Sequence, residues 1–330
     1  MTQPLLRIRD VRTWYPIRRG ILARTLGHVK AVDGVSFDLE RGETVALVGE
    51  SGCGKTTLGR TILGLERRRE GEILLDGVPL WPARHRDCVP LRRRVQMIFQ
   101  DPHASLNPRM TIQDIVSEGA LAHGLIRPRD RGETARRLLA EVGVDEAALN
   151  RYPHEFSGGQ RQRISMARAL AVRPDLIVCD EAVSALDVSV RAQVLNLLIA
   201  LREARGLAYL FISHDLAVAR HIAHRVVVMY LGVAVETGTA AEVLDAPVHP
   251  YTRALSSAVP VPFAERRRAE ALRGEVPSPA RPPSGCRFRT RCPLALPACA
   301  EARPALDPFG SATHHVACIR KSELVQKKNS

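Results

Sequence analysis

The stretch Gly49-Glu50-Ser51-Gly52-Cys53-Gly54-Lys55-Thr56-Thr57 has the residue types and spacing of a phosphate cradle. In Gly49-x4-Gly54-Lys55-Thr56 the glycines let successive backbone N–H groups wrap phosphate oxygens, Lys55 reaches the outer phosphates, and the Thr56 hydroxyl ligates Mg²⁺. Candidate nucleotide contacts are therefore Gly49, Ser51, Gly52, Cys53, Gly54, Lys55, Thr56 and Thr57. The loop follows an apolar run, Thr44 to Val48, and precedes a helix-compatible run, Thr57 to Gly64. A strand must deliver it, and the N-terminus of a helix adds a favourable dipole.

A second candidate is Leu176-Ile177-Val178-Cys179-Asp180-Glu181, where an apolar strand carries two carboxylates at its C-terminal end. Phosphoryl transfer needs a positioned nucleophile and charge neutralisation. Asp180 is accordingly read as a Mg²⁺ ligand and Glu181 as the group that orients and deprotonates the attacking water. A third is Phe156-Ser157-Gly158-Gly159-Gln160, ahead of a helix from Arg161 to Ala171; Ser157 offers a hydroxyl, and the helix start offers free N–H groups, to an anion. A fourth is the late set Cys286-x5-Cys292-x6-Cys299-x18-Cys318, which chemistry alone allows to bind Zn²⁺ or an iron–sulfur cluster or to remain free thiols. His314 and His315 are further candidates in the zinc case. Cys53, Cys88 and Cys179 read as loop and core residues without a metal.

These sites need an α/β scaffold. Leu5 to Val11, Val29 to Leu39 and Thr44 to Val48 read as strands of an N-terminal β lobe, with a basic surface excursion between Arg18 and His28. A helical insert runs from about 101 to 171, with breaks at Arg127-Pro128 and Tyr152-Pro153. Apolar strands at Leu176 to Cys179, Ala208 to Ile212 and Val226 to Tyr230 then alternate with helices such as Arg191 to Arg205, the pattern of a parallel sheet covered on both faces. From Pro247 onward Pro and Arg accumulate, as in Pro260-Val261-Pro262, so the expected domains are 1–246 and a small cysteine-containing C-terminal module at 247–330.

The third candidate, Ser157-Gly158-Gly159-Gln160, resembles the signature of ABC ATPases, and the other motifs resemble that family's in the same order. The resemblance implies a P-loop ABC fold with an antiparallel β lobe and a RecA-like core sheet. It also implies a head-to-tail pair of ATPases in which one subunit's signature closes over the ATP of the other. Gln100 resembles the glutamine that senses Mg²⁺ and water, His214 the switch histidine at the γ-phosphate, and Asp187 in Ser184-Ala185-Leu186-Asp187 part of the D-loop. Tyr15 resembles the aromatic that stacks on adenine, although Trp14 beside it offers the same stacking. Ala182 stands where the family frequently has Pro.

The tail from Pro247-Val248-His249-Pro250-Tyr251 to Cys318 looks like the oligopeptide and dipeptide permease family, and residues 15–20, 27–35 and 182–189 resemble the second of its two ATPase subunits. The resemblance implies a 4Fe-4S cluster at the four late cysteines. The implied partners are a related ATPase subunit in a heterodimer, two transmembrane permease subunits and an extracytoplasmic peptide-binding protein. Nickel and glutathione importers share much of this architecture, and a soluble, non-transport ABC ATPase is the rival from another class.

The formal charge of +13 raises nucleic acid as a partner. It comes from 43 Arg and five Lys spread along the chain, and the runs 67–69, 92–94 and 266–268 lack the interleaved aromatics of a stacking platform. No nucleic-acid partner is expected. Met1 to Asp10 carries charges where a signal peptide needs an apolar core, and no stretch reaches the ~18 apolar residues of a membrane span. A peripheral ATPase on the cytoplasmic face of the membrane is the expectation.

Overall fold

A computed structural model describes residues 3–19, 24–81, 85–101, 105–257 and 274–326. Its strands are, in chain order, β1 (Leu6–Arg19), β2 (Arg24–Leu39), β3 (Thr44–Val48), β4 (Glu70–Leu75), β5 (Val78–Pro79), β6 (Val95–Ile98), β7 (Leu176–Asp180), β8 (Ala208–Ser213), β9 (Arg225–Tyr230), β10 (Val233–Thr239), β11 (Asp307–Phe309) and β12 (Ser311–Val316). The chain divides into two compact units, one of residues 1–39, 44–79 and 213–330, the other of 40–43 and 80–212.

In the first unit β2-β1-β4-β5 form the expected antiparallel lobe. Leu6 and Ile8 of β1 are buried opposite Leu39 and Phe37 of β2, while the intervening Arg7 pairs with Asp38. The hairpin is longer than the apolar pattern predicts. Pairing continues through Pro16↔His28 to Arg19↔Arg24, so the expected surface excursion is largely an extension of the hairpin, with Arg18, Arg19 and Arg24 to Leu26 exposed on it. The basic, solvated side chains there carry no apolar alternation to reveal it. Residues 20–23, Pro260-Val261-Pro262 and Arg266-Arg267-Arg268 lie outside the described residues.

All of β3 is buried, and it pairs in parallel with β9 from Val45↔Arg225 to Val48↔Val228. Fully buried parallel strands are near-continuous apolar runs for this reason. Beyond β9 the direction changes: β10 is antiparallel to β9, β12 to β10 and β11 to β12. The sheet carrying the glycine-rich loop is therefore mixed. The cysteine-bearing tail belongs to this unit, with Cys286, Cys292 and Phe288 packed on a core that includes Val48, Val228, Tyr230 and Tyr251.

In the second unit β6, β7 and β8 are parallel, with β7 in the middle. The helical insert comprises helices Ile112–Ala122, Arg131–Glu141 and Gly158–Leu170, with 3-10 turns at Pro128–Asp130 and Pro153–Glu155, the two expected breaks. Helix Val188–Arg205 buries Val194, Leu195, Leu198 and Leu201 and ends on Gly206 at φ 64°. Each such aliphatic side chain contributes roughly 1.5–3 kcal/mol when removed from water, and the left-handed glycine closes the helix without a Cβ penalty. Among the described residues no helix is long and apolar enough to cross a membrane.

Candidate functional site

The phosphate-type loop joins β3 to helix Lys55–Ile62, as its spacing demands. Gly54 caps that helix at φ 106°, and a Cβ there would meet the carbonyl oxygen of Ala31 at 2.0 Å. A Cβ on Gly49 would meet the carbonyl of Met229 at 2.2 Å. Only glycine fits such a close approach of backbones. No side chain caps the helix N-terminus and no acidic residue lies in its first turn, which leaves the orphan N–H groups and the positive dipole end to an anion. Gly52 has φ 78° and open space where a side chain would project. The cradle thus fits a phosphate.

Lys55 is buried, its ammonium donating to the carbonyl oxygens of Gly49 at 2.7 Å and Glu50 at 3.0 Å. Burial pushes the Cys53 thiol up, against the pull of Lys55, so this cysteine packs as a neutral residue. Burial raises the Tyr15 phenol, with Thr57 and Glu66 beside it. Trp14 is otherwise engaged: its Nε1 donates to Asp33 at 3.1 Å and its ring lies beneath Lys30 and Arg69. His214, just beyond β8 and also in the first unit, is exposed.

In the second unit Asp180 ends β7 and is buried, while Glu181 adopts φ 45°. For a residue with a Cβ this left-handed conformation is strained. It is held by Glu181 N–H donating to Ile212 O at 3.0 Å and by Ser184 Oγ donating to Glu181 O at 2.9 Å. Gln100 Nε2 donates to Glu181 Oε2 at 3.0 Å, bringing together two candidates 81 positions apart.

Ser157 caps helix Gly158–Leu170. Gln160 N–H donates to Ser157 Oγ at 3.4 Å, and Ser157 N–H donates to Gln160 Oε1 at 3.1 Å, a capping box. Phe156 anchors the motif in the core beneath the Arg151 guanidinium. Gly158 and Gly159 lie against Leu186 and Val190, on either side of Asp187. Ser157, Gly158, Gln160 and Asp187 are exposed.

Sequence reasoning did not single out Glu50, Tyr251, Arg291 or Glu236. Arg291 forks onto the Glu50 carboxylate, and Glu50 N–H donates to the Tyr251 hydroxyl at 2.8 Å. Glu236 is fully buried on β10 and accepts from Val248 N–H, His249 N–H and His314 Nε2. The one signal available was an acidic residue at an unconstrained position of the loop.

Comparison with known proteins decides the family. Residues 32–184 match the ABC transporter family model, and residues 235–299 match the C-terminal region of oligopeptide/dipeptide transporters. The chain is 51% identical to the oligopeptide transport ATP-binding protein AppF of Bacillus subtilis, over 96% of this chain and 97% of that one. It belongs to the oligopeptide-type ABC transporter ATP-binding proteins. It is also 50% identical to OppF of Escherichia coli over 97% of each chain. Among solved structures, the dimeric post-hydrolysis state of the ATP-binding cassette MJ0796 bound to ADP and Pi superposes with a TM-score of 0.63 at 26% identity, covering 71% of this chain and 98% of that one. The family accounts for ATP as substrate, and the loop geometry fits it.

The expected 4Fe-4S cluster, and Zn²⁺ as its alternative, are corrected. Cys286, Cys292, Cys299 and Cys318 line one small cavity with Phe288, Leu294 and Leu324. Yet among the described residues no three His, Cys, Asp or Glu side chains are grouped to hold a metal ion. Burial raises the thiols of Cys286, Cys292 and Cys318. His314 faces Glu236 at 2.8 Å, and His315 Nδ1 lies against Thr313 O at 3.2 Å.

Proposed function

We infer that this chain is the ATP-hydrolysing subunit that energises a peptide importer. The observation that carries the reading is its identity to AppF and OppF across nearly the whole chain, tail included. The proposed partners are a related ATPase subunit in a heterodimer, two transmembrane permease subunits and an extracytoplasmic peptide-binding protein, with the chain at the cytoplasmic face of the membrane. Residues 1–246 form the ATPase domain in this reading, and 247–330 a regulatory region.

In the first unit the backbone of Gly49, Ser51, Gly52, Cys53, Gly54 and Thr57 cradles the phosphates. Lys55 exchanges its two carbonyl partners for the outer phosphates. Thr56 offers its hydroxyl to Mg²⁺, Tyr15 stacks on adenine and His214 contacts the γ-phosphate. In the second unit Asp180 and Gln100 offer oxygens to Mg²⁺. Glu181, held in its strained conformation, orients water and takes its proton, and its bond to Gln100 fixes the carboxylate. Mg²⁺, when bound, neutralises charge on the β- and γ-phosphate oxygens. Ser157, Gly158, Gly159, Gln160 and Asp187 serve the ATP of the partner ATPase, which matches the exposure of all but the half-buried Gly159.

Glu181→Gln in the reconstituted complex is expected to keep ATP affinity and lose hydrolysis by about 10²–10⁴-fold, the range for a removed general base. Hydrolysis at the unmodified rate removes Glu181 from its role. ATP turnover that ignores peptide-loaded binding protein removes the importer reading.

A further inference from the structure

The loop that cradles phosphate carries an acidic residue, Glu50, at its second position. A carboxylate there opposes the binding of a polyanion. In this chain it is paired by Arg291, whose Nη1 and Nη2 donate to Oε2 and Oε1 at 2.6 and 3.0 Å. Such a fork is the strong, orienting form of ion pair, and the Arg291 side chain is almost fully buried. The backbone of the same residue is held independently, its N–H donating to the hydroxyl of Tyr251 at 2.8 Å and its carbonyl accepting from Lys55.

Both partners come from the tail. Tyr251 is fully buried in helix Pro250–Ser257, and its ring meets Tyr230 and Phe288 with centroids 4.8 and 5.4 Å apart. Phe288 meets Tyr230 edge-on at 5.2 Å, and the Arg291 guanidinium lies near the Tyr230 ring. Three interlocked aromatic rings fix where the hydroxyl and the guanidinium point. Tyr251 and Arg291 fall inside the stretch 235–299 that matches the oligopeptide/dipeptide C-terminal region.

We propose that the C-terminal region sets ATP affinity by bracing the phosphate loop, with Arg291 and Tyr251 as positioning residues that act through Glu50. This rests on the reading of residues 49–57 as the ATP site. Arg291 cancels the Glu50 charge and turns its carboxylate into the tail, and Tyr251 fixes the peptide plane between Gly49 and Glu50. The brace works on ground-state binding, so its loss is read in KM and Kd for ATP rather than in kcat.

The test takes Kd for Mg-ATP from titration of the full-length chain, KM and kcat from phosphate release by the reconstituted complex, and a thermal midpoint for each variant. Arg291→Ala is expected to raise Kd and KM about tenfold with kcat within twofold, and Tyr251→Phe to raise them about threefold. Adding Glu50→Gln to Arg291→Ala removes the charge that Arg291 cancels and is expected to bring Kd back to within threefold of the unmodified chain. Arg291→Lys, which keeps the charge but loses the fork, is expected to fall between. A merely structural arginine would lower the thermal midpoint without rescue by Glu50→Gln. Unchanged Kd in both Arg291→Ala and Tyr251→Phe, or no rescue by Glu50→Gln, overturns the proposal. Should Arg291→Ala not fold, Arg291→Lys and Tyr251→Phe decide alone, and unchanged Kd in both overturns it. Lys55→Ala separates the two readings, because undiminished ATP binding by that variant refutes the ATP site itself rather than the brace.

Discussion

Glu236→Ala is expected to destabilise the chain by about 3–5 kcal/mol, the range for breaking a buried charge network by removing one member. Glu236 is fully buried, and its two oxygens accept from Val248 N–H at 2.8 Å, His249 N–H at 2.9 Å and His314 Nε2 at 2.8 Å. Hydrogen bonds to a charged group contribute about 1.5–3 kcal/mol each, so the three together amount to roughly 5–9 kcal/mol. Against this stands the desolvation of the carboxylate, several kcal/mol, which the alanine variant recovers. The difference stays positive because the variant leaves two backbone N–H groups and an imidazole buried without their acceptor. Glu236→Gln keeps the shape and one carbonyl oxygen but points an NH₂ at a donor, and is expected to cost about half as much. Urea unfolding of the full-length chain, followed by a fluorescence probe of the first unit, measures both. An alanine variant within 1 kcal/mol of the unmodified chain, or a glutamine variant less stable than alanine, refutes the reasoning. The same loss should propagate, since His249 Nδ1 accepts from Tyr251 N–H at 3.1 Å and so helps to seat the tyrosine that holds Glu50.

His249 is buried, and burial lowers its pKa to about 4 against the opposing pull of Glu236. The unfolded chain takes up this proton first, near pH 6.5, so stability holds above that pH and is lost as pH falls toward about 4, by up to roughly 3 kcal/mol. Urea midpoints at pH 7.5 to 4.5 should therefore fall more steeply for the unmodified chain than for His249→Asn, and parallel curves count against the assignment. Gly159→Ala places a Cβ 2.5 Å from Val190 Cγ1. The stiff β-branched side chain cannot swing away freely, so an overpacking cost of about 1–3 kcal/mol is expected to exceed the helix-propensity gain of about 1. Val190→Ala in that background should recover most of the loss in the same unfolding assay, and no recovery would place the clash elsewhere.

How much was legible depended on whether a feature was contiguous. Gly49 to Thr57, Asp180-Glu181 and Ser157 to Gln160 each announce themselves because one loop or one strand end supplies the whole arrangement, and the flanking periodicity confirms the strand or helix that presents it. Gln100 entered the site only through resemblance, and its contact with Glu181 came from the structure, since nothing local specifies a partner 81 positions away. The long β1–β2 hairpin was hidden by solvated arginines. The four late cysteines were the converse case: their spacing suggested a metal, and the fold gives them a cavity shared with Phe288 and Leu294. Glu236 and Arg291 carried no signal at all, because a lone acid in a strand and an arginine in a chain with 43 of them are indistinguishable from surface residues until their burial is known.

The Arg291–Glu50 fork joins positions 241 residues apart, and that separation has a meaning in time as well as in space. At a synthesis rate of about 5–20 residues per second, the glycine-rich loop leaves the ribosome roughly 12–48 s before the arginine that pairs its acid. The tyrosine that holds its backbone is only about 2–8 s ahead of that arginine. Throughout this interval the Glu50 carboxylate lacks its Arg291 partner. Under the proposed brace, the loop gains its charge partner only once residue 291 has emerged, long after the loop itself.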